Sequence, residues 1–415
     1  MVRKLPAVRA RRGPSVGAAR SAARPAPDVA ARPAPISVLE LLVSSQLGGG
    51  PAHVVDLLAG LDPKDFRVTV GAPAGGPYLE RFRAGGAQVV EVAAHRLSPF
   101  TLGKLTRLIR ERDIRVVHSH GKGAGLYGRL AARRAGIAAV HTFHGVHYDR
   151  YPPGVRSAYL AMERGLARIT HTIIHVSASQ AAEARPLGLA PAERARIIVN
   201  GIDGARVRAQ SRPREGARTA LALDPAALVL GTVARFDPVK GLETLLEAMA
   251  RLRQRRPGAV CLVVGDGPES GRLRAQARRL GLGGSVVWTG PLPDAARYFA
   301  ALDLYVTASL GEGLPLGVLE AMASGLPVVA TRVPGHVDAV VEGVTGLLVP
   351  PRDASALAEA ADALLADGAR RLRMGEAARE RVAKEFSAAR MTAEVADEYR
   401  RAAASLRGEP HPRGV

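Results

Sequence analysis

The sequence predicts an α/β fold with two doubly wound, Rossmann-like domains that face a central cleft. The chain has 415 residues, which exceeds the roughly 250–300 residues at which a single hydrophobic core stops growing. From Ile36 onward, short apolar runs alternate with longer amphipathic stretches, the pattern of parallel sheets covered by helices on both faces. The runs form two series, divided by the turn-forming tetrapeptide Asn200-Gly-Ile-Asp203.

Each series predicts a set of strands, and a helix closes the chain. The predicted strands are 36–43, 66–70, 88–92, 116–118, 139–142, 172–176 and 197–199 in the first series, and 228–234, 260–264, 286–289, 304–306, 328–330 and 347–349 in the second. From about 388 to 404, Met391, Val395 and Tyr399 share one helix face, which we expect to pack on the first domain. The predicted units are a tail at 1–35, domains at 36–200 and 201–387, and a helix with a tail at 388–415.

Charge and composition narrow the class of partner. The formal net charge is +20, and residues 1–35 hold eight Arg or Lys against one acid, Asp28. We expect a disordered basic tail there, since no apolar signal-peptide block is present; a wrongly chosen start codon would leave the same trace. Other basic residues, such as Arg129, Arg133 and Arg134, form either a solvated helix face or a surface that attracts anionic lipid headgroups. An aromatic content of 4% argues against a nucleic-acid partner bound by base stacking.

Cysteine use and hydropathy bear on location. Cys261, the one cysteine, lies in an apolar run, so we expect a buried structural thiol rather than a nucleophile. No apolar stretch approaches the ~18–20 residues needed to span a bilayer. We therefore expect a cytoplasmic protein, with peripheral contact to the inner face of the plasma membrane as its closest association with lipid.

Two loops of the second domain follow predicted strands, where doubly wound folds bind ligands. The first holds Arg235 and Lys240. A guanidinium and an ammonium at this spacing are suited to a pyrophosphate, although a solvent-exposed pair beside a turn has the same pattern. The second holds Gly265 and Gly267, which suit either a loop facing that ligand or a plain β-to-α turn.

A third loop gives the strongest signal, because two carboxylates flank a predicted helix start. Glu312 and Glu320 stand eight positions apart, and Pro315 is suited to the first turn of the helix. Glu320 is expected on the helix and Glu312 in the loop before it. Amides at Leu316 and Gly317 would stabilise an anion, and each carboxylate can accept hydrogen bonds from hydroxyls on either side of a diphosphate. The alternative is a helix with an acidic first turn.

The first domain offers a glycine turn to the same cleft. Gly48 and Gly49 follow the first predicted strand and open a predicted helix. Glycines there let backbone amides approach an anion. A tight strand-to-helix turn explains the same residues.

Three histidines in seven residues, His141, His144 and His147, follow the fifth predicted strand. Neither zinc-signature spacing nor an Asp-x-Asp pair accompanies them, so we expect no metal and no other cofactor. We predict that His144 hydrogen-bonds a ligand in the cleft, with a structural turn histidine as the alternative. His118 and His120 are expected to be scaffold residues.

These motifs together resemble glycosyltransferase family 4, whose members have the two-domain GT-B fold and retain the anomeric configuration of the transferred sugar. The resemblance runs from about 36 to 404. It is carried by the Gly48-Gly49 turn, Thr142-Phe-His-Gly145, Val199-Asn-Gly-Ile-Asp203, the loop 235–241 and, most specifically, the run from Ser309 to Thr331.

The resemblance implies a nucleotide-diphosphate sugar, UDP- or GDP-linked, as donor, and a polysaccharide or lipid-linked acceptor. By resemblance, Arg235 and Lys240 bind the diphosphate of the donor. Glu320 binds the ribose and Glu312 the sugar, while His144 and the Gly48-Gly49 turn contact the sugar and phosphate from the other domain. The domain at 36–200 is then the acceptor side and that at 201–387 the donor side. The resemblance also implies catalysis without a metal, by a front-face reaction in which the departing phosphate takes the acceptor's proton.

Two segments depart from the family pattern. Val333-Pro-Gly-His-Val-Asp338 stands where two glycines and a glutamate are usual, and Gly50-Pro51-Ala52 replaces acidic and basic residues after the glycine turn. The contacts of both loops are therefore left open. Two other functions remain as alternatives: a sugar-nucleotide 2-epimerase of the same fold, and a non-catalytic basic scaffold for membrane or nucleic acid.

Overall fold

The structure is a computed structural model that describes Met1 and residues 34–94, 98–149 and 151–406. Nearly all of the tail predicted at 1–35, and the chain after Leu406, lie outside these described residues. The described chain contains two parallel sheets, of seven and six strands, with helices between successive strands. This confirms the predicted α/β fold with two Rossmann-like domains.

Every predicted strand overlaps an observed one. In the first sheet the strands are β1 (Ile36–Leu42), β2 (Phe66–Ala72), β3 (Gln88–Glu91), β4 (Val116–His120), β5 (Ala138–Phe143), β6 (Thr172–His175) and β7 (Ala195–Ile197). In the second sheet they are β8 (Val229–Val233), β9 (Val260–Val264), β10 (Val286–Gly290), β11 (Leu304–Thr307), β12 (Val328–Thr331) and β13 (Gly346–Val349). The largest difference is at β7, which lies two residues earlier than predicted because the chain turns at Asn200, whose side chain donates to the Leu314 carbonyl at 3.3 Å.

Helices cover both sheets. They are α1 (Gly49–Gly60), α2 (Tyr78–Ala84), α3 (Pro99–Glu111), α4 (Lys122–Ala135), α5 (Pro153–Ala167), α6 (Ala178–Ala184), α7 (Gly204–Gln210), α8 (Arg214–Ala220), α9 (Leu242–Arg255), α10 (Ser270–Arg279), α11 (Leu316–Ala323), α12 (His336–Ala339), α13 (Ala354–Ala366), α14 (Gly368–Glu385) and α15 (Ala388–Ser405). Two 3₁₀ segments occupy Pro238–Lys240 and Ala295–Ala301. Among the described residues, no helix combines the length and apolar character needed to cross a membrane.

The strand order creates one crevice in each sheet. The first sheet runs β3-β2-β1-β4-β5-β6-β7 and the second β10-β9-β8-β11-β12-β13. Chain direction across the sheet therefore reverses between β1 and β4 and between β8 and β11. Ligands of doubly wound folds bind outside the carboxyl ends of strands at such reversals.

Helix α15 returns to the first sheet and packs on it. Met391, Val395 and Tyr399 are at most 1% exposed and join the core formed by β1, β4, β5 and β6. Full burial of a large apolar side chain contributes roughly 1.5–3 kcal/mol. Just before α15, the Phe386 carbonyl accepts from the Ile202 amide at 2.9 Å. The two segments in which the chain crosses from one domain to the other, at Ile202 and at Phe386, are therefore hydrogen-bonded to each other.

One expectation about surface charge is wrong. Arg133 and Arg134 of α4 are exposed, but Arg129 is fully buried and bonds Glu163 of α5 at 2.6 Å. It therefore belongs to the interior of the first domain. Burying an unpaired guanidinium there would destabilise the fold far more than exposing one, so Arg129 needs Glu163 as its partner. Because Arg129 is buried, it adds nothing to a basic surface.

Candidate functional site

The centre of the site in the second domain is an ion pair at the β8/β11 reversal. Lys240 Nζ lies 2.7 Å from Glu312 Oε1, and Ser309 Oγ donates to the same oxygen at 2.7 Å. The two loops are held together by the backbone, because the Leu310 amide donates to the Val239 carbonyl at 2.7 Å. Lys240 and Glu312, which are 72 positions apart in the sequence, are therefore held side by side.

The electrostatics of this pair favour a charged carboxylate. Glu312 is 8% exposed. Burial alone would raise the pKa of the Glu312 carboxyl, but the charges of Lys240 and His336 outweigh burial and hold that pKa below its ordinary value. Glu312 is therefore ionised at neutral pH and acts only as a hydrogen-bond acceptor.

Glycines allow the loops around Lys240 to approach one another. Gly241 has φ 58°, and a Cβ there would lie 2.1 Å from the Ala308 carbonyl oxygen. Gly265 has φ 132°, and its Cβ would lie 1.9 Å from the Ala234 carbonyl oxygen. A Cβ at Gly267 would lie 2.5 Å from the Phe236 oxygen. The structure thus explains Gly265 and Gly267 by loop packing beside Lys240, whether or not they contact a ligand.

Helix α11 begins beside the ion pair, as the spacing predicted. Glu312 lies in the preceding loop and Glu320 on the helix, one turn after its start. Pro315 is the N-cap and provides no side-chain hydrogen bond. Within the part of the chain that the structure describes, no side chain caps the first-turn amides of Leu316 and Gly317, which is the arrangement that binds anions at helix N-termini.

Glu320 faces the first domain. Two ion pairs that join the domains surround it: Arg206 to Asp56 at 2.5 Å, and Arg81 to Asp294 at 2.9 Å. Burial and then the charge of Asp56 raise the pKa of Glu320 to about 7, against the effect of Arg206. Among the described residues, none donates a hydrogen bond to the Glu320 carboxylate, so a ligand hydroxyl can do so.

Arg235 is less closely tied to the centre than predicted. Its side chain is 65% exposed and bonds Asp237 of the same loop at 2.6 Å. The structure therefore brings Lys240 and Glu312 together but leaves Arg235 on the loop surface. Contact with a diphosphate would require its guanidinium to exchange Asp237 for the ligand.

The first domain presents His144 to this centre. A Cβ at Gly313 would lie 2.5 Å from the His144 carbonyl oxygen, so the turn at His144 touches the loop that carries Glu312. Ser177 Oγ donates to the Gly313 carbonyl at 2.7 Å and fixes this contact. Gly48 and Gly49 lie exposed at the start of α1, and a Cβ at either would meet no atom of the described residues within 4 Å. Nothing in the packing requires glycine at these two positions.

Behind His144 lies a buried polar network that the sequence interpretation missed. His120 Nδ1 is 3.0 Å from His144 Nε2, and His120 Nε2 is 2.7 Å from Glu40 Oε2. Tyr399 of α15 donates to Glu40 Oε1 and lies 2.6 Å from His118 Nδ1. His118 and His120 were expected to be scaffold residues, but His120 contacts the candidate ligand-binding histidine directly.

Three members of this network have the composition of a metal site. One ligand atom from each of Glu40, His118 and His120 lies within 4.8 Å of the others. Hydrogen bonds account for these atoms as they stand: Thr142 Oγ1 is 2.7 Å from His118 Nε2, and Tyr399 bridges His118 and Glu40. At 2.6–2.7 Å, the two contacts of His118 have the length of ordinary hydrogen bonds.

The three clustered histidines diverge. His141 is buried and its Nδ1 lies 2.9 Å from Ser119 Oγ, inside the first domain. His147 lies against Gly145 and near Gly311 of the second domain. Burial, and then the neighbouring histidines His53 and His120, hold the pKa of His144 well below its ordinary value, so its imidazole is neutral at neutral pH. The three rings therefore do not form one site.

The loop that departs from the family pattern joins the domains. Asp338 of α12 accepts from the Ser179 amide at 3.1 Å and from Ser179 Oγ. Gly335 has φ 79°, and a Cβ there would lie 2.5 Å from the Gly313 oxygen. In the segment 50–52, a Cβ at Gly50 would lie 4.0 Å from His144 Cδ2. Both departures thus lie within the site.

Comparison with known proteins agrees with this arrangement. Residues 47–206 match a family model described as Glycosyltransferase Family 4, and residues 214–381 match one described as Glycosyl transferases group 1. The D-inositol 3-phosphate glycosyltransferase of Actinosynnema mirum is 35% identical over 307 residues, covering 68% of this chain and 72% of that protein. The glycogen synthase of Mycobacterium tuberculosis is 32% identical over 322 residues, covering 74% of each.

Another D-inositol 3-phosphate glycosyltransferase, from Nocardia farcinica, is 34% identical, and the match spans 68% of this chain but only 65% of that relative. Among solved structures, sucrose-phosphate synthase from Thermosynechococcus elongatus has a TM-score of 0.76 at 25% identity, covering 89% of this chain and 100% of that chain. HepE from Anabaena, crystallised with UDP and glucose, has a TM-score of 0.79 at 22% identity, covering 88% of this chain and 100% of that chain. The last likeness shows a shared fold.

Proposed function

Since the chain belongs to the family 4-like, group 1 glycosyltransferases, we propose that it moves a hexose-type sugar from a UDP- or GDP-linked donor to a polysaccharide or lipid-linked acceptor, retaining the anomeric configuration. One observation carries the proposal: the Lys240–Glu312 pair stands beside the uncapped N-terminus of α11, at the strand reversal of the second sheet. A diphosphate needs cations and amides, and a sugar needs hydroxyl acceptors.

In this proposal the donor lies across the start of α11. Lys240 Nζ and the amides of Leu316 and Gly317 stabilise the diphosphate, and Arg235 adds charge when it leaves Asp237. Glu312 accepts from sugar hydroxyls and Glu320 from the ribose. His144 and the Gly48-Gly49 turn approach the sugar and phosphate from the acceptor-side domain.

Catalysis then consists of stabilising the leaving group and aligning the acceptor. The bond between the anomeric carbon and the diphosphate oxygen breaks, and the acceptor oxygen bonds that carbon on the same face. The acceptor's proton passes to the departing phosphate. Positive charge comes from the protein, so the proposed reaction uses no metal ion or other cofactor.

The alternatives are weaker. The relatives above are named D-inositol 3-phosphate glycosyltransferase and glycogen synthase, and one structural neighbour is a sucrose-phosphate synthase, so the 2-epimerase is not favoured. For the acceptor, exposed basic residues such as Arg133 and Arg134 support peripheral contact with an anionic membrane in the cytoplasm, where a lipid-linked acceptor of a cell-envelope polysaccharide lies. Low aromatic content argues against nucleic acid.

A turnover screen tests the proposal. Purified protein is incubated with a panel of UDP- and GDP-sugars, and free nucleotide, epimer and transfer product are measured by mass spectrometry. We expect at least one donor to release UDP or GDP without an epimer, unchanged after dialysis against EDTA. The variants E312A and K240A should each lower this release by at least about 10²-fold while remaining folded by circular dichroism. Epimer formation, dependence on a divalent ion, or full activity in both variants would each contradict the proposal.

A further inference from the structure

A chain of hydrogen bonds runs from a buried carboxylate to the imidazole that faces the cleft. It passes from Glu40 on β1 to His120 at the end of β4, and from His120 to His144. Glu40 is fully buried and His120 is 2% exposed, whereas His144 is partly exposed. The chain therefore connects the interior of the first domain to the site.

The direction of each hydrogen bond follows from the charge of Glu40. Burial would raise the pKa of Glu40, but His118 and His120 outweigh burial and lower it, so Glu40 is a carboxylate. A carboxylate only accepts, so His120 Nε2 must carry a proton. Burial lowers the pKa of His120 to about 4, so the ring is neutral and its Nδ1 is an acceptor. The 3.0 Å contact then requires His144 to donate from Nε2.

We infer that Glu40 and His120 are positioning residues, which hold His144 as the tautomer protonated on Nε2 so that its Nδ1 accepts a hydrogen bond from a substrate hydroxyl. The hydroxyl partner rests on the proposed function, but the tautomer does not. An imidazole in the opposite tautomer would present a donor instead, and would suit a phosphate oxygen rather than a hydroxyl hydrogen. The relay thus excludes an ionised phosphate oxygen from His144 Nδ1 and leaves that nitrogen to groups that can donate, such as a hydroxyl.

Two further contacts keep the relay in place. Tyr399 of α15 donates to the second oxygen of Glu40, which prevents the carboxylate from turning away from His120. His53 of α1 packs edge-on against His144, with ring centroids 5.1 Å apart. The polar anchor of the histidine is therefore built from β1, β4 and the last helix together.

The first test needs no variant. Protein labelled with ¹⁵N-histidine is studied by long-range ¹H–¹⁵N NMR, in which protonated and unprotonated ring nitrogens resonate separately, and the His144 signals are assigned by their loss in H144Q. We expect the Nε2-protonated tautomer of His144 in the absence of substrate. The opposite tautomer, or an equal mixture, would overturn the inference.

Two isosteric variants then test the role of His120. In H120N the amide oxygen lies near the position of Nδ1 and can accept from His144, whereas in H120Q the amide lies near Nε2 and leaves His144 without an acceptor. We expect H120N to keep the tautomer, and H120Q to lose it and to lower kcat by about 10-fold, the effect of one hydrogen bond of ~1.4 kcal/mol. Thermal unfolding and UDP affinity are measured in parallel to separate misfolding from lost positioning.

Three further outcomes would decide whether the inference holds and whether the proposed function does. An unchanged tautomer and rate in H120Q would overturn the inference, as would one equivalent of metal per chain in the wild type that H120Q fails to bind. If the tautomer shifts as expected but no nucleotide sugar is consumed by the wild type, the proposed function fails and the positioning of His144 stands.

Discussion

In the second domain, the ion pair of the candidate site joins two neighbouring loops, and its cation remains in reach of solvent; in the first domain, the polar groups come from distant segments and are buried. Lys240 is 26% exposed and pairs with Glu312 of the neighbouring loop. Glu40 and Tyr399, by contrast, are 359 positions apart and fully buried. In our proposal, the second domain offers charge to an anion, whereas the first domain uses charge internally to orient a neutral ring.

This difference has consequences for stability. Removing a partly exposed charge at a loop costs little folding free energy. Removing one member of a buried network leaves another polar atom unsatisfied, which costs about 1–3 kcal/mol. Substitutions in the second domain should therefore lower activity more than stability, and substitutions in the buried network of the first domain should lower stability more than activity.

The largest expected effect is in the second domain. K240A should lower kcat/KM for the donor by about 10²–10³-fold, the usual effect of removing one group that stabilises a developing anion. The midpoint of urea unfolding should fall only modestly, because the Glu312 carboxylate loses its cation but keeps the hydrogen bond from Ser309. The matched control is K64A, since Lys64 is exposed and remote from the ion pair. If kcat/KM of K240A were within a few-fold of that of K64A, Lys240 would not stabilise the leaving diphosphate.

The next effect is on stability in the first domain. Y399F removes the hydroxyl between Glu40 and His118, so the free energy of unfolding should fall by about 1–2 kcal/mol. Activity should fall less than in K240A, because the hydroxyl touches no substrate. Urea unfolding followed by circular dichroism measures the change. An unfolding midpoint equal to that of the wild type would show that the network does not stabilise the fold.

The same contrast explains what the sequence could predict. Parallel strands buried on both faces are continuous apolar runs, so each was found within a few residues. Glu312, Leu316 and Glu320 lie within nine residues, and helix periodicity alone places them around one helix start. Such local patterns can be recognised in the sequence without any knowledge of tertiary contacts.

The network of the first domain depends on contacts that no local pattern contains. Its sequence signal was a lone acid, Glu40, inside the apolar strand Ile36–Leu42, and two histidines at alternate positions of β4. Register pairs Glu40 with His118, and only the return of α15 adds Tyr399. A buried acid in a strand demands a partner, but the sequence does not say which one. The exposure of Arg235 and the burial of Arg129 escaped prediction for the same reason.

The smallest expected effect lies between the two domains. Burial and Asp56 raise the pKa of Glu320 to about 7, so the native protein binds a proton that the unfolded chain has already released. The contribution of protonated Glu320 to stability is complete near pH 4 and is lost as the pH rises toward 7. The melting temperature of the wild type relative to E320Q should therefore fall between pH 5 and pH 8. A difference that is constant with pH would mean that the pKa of Glu320 is ordinary.

A crystal structure with the nucleoside diphosphate that the turnover screen selects tests the proposed donor site most directly. We predict phosphate oxygens within ~3 Å of Lys240 Nζ and of the amides of Leu316 and Gly317, with the ribose hydroxyls at Glu320. A diphosphate bound elsewhere, with Lys240 still on Glu312 and the start of α11 empty, would contradict it.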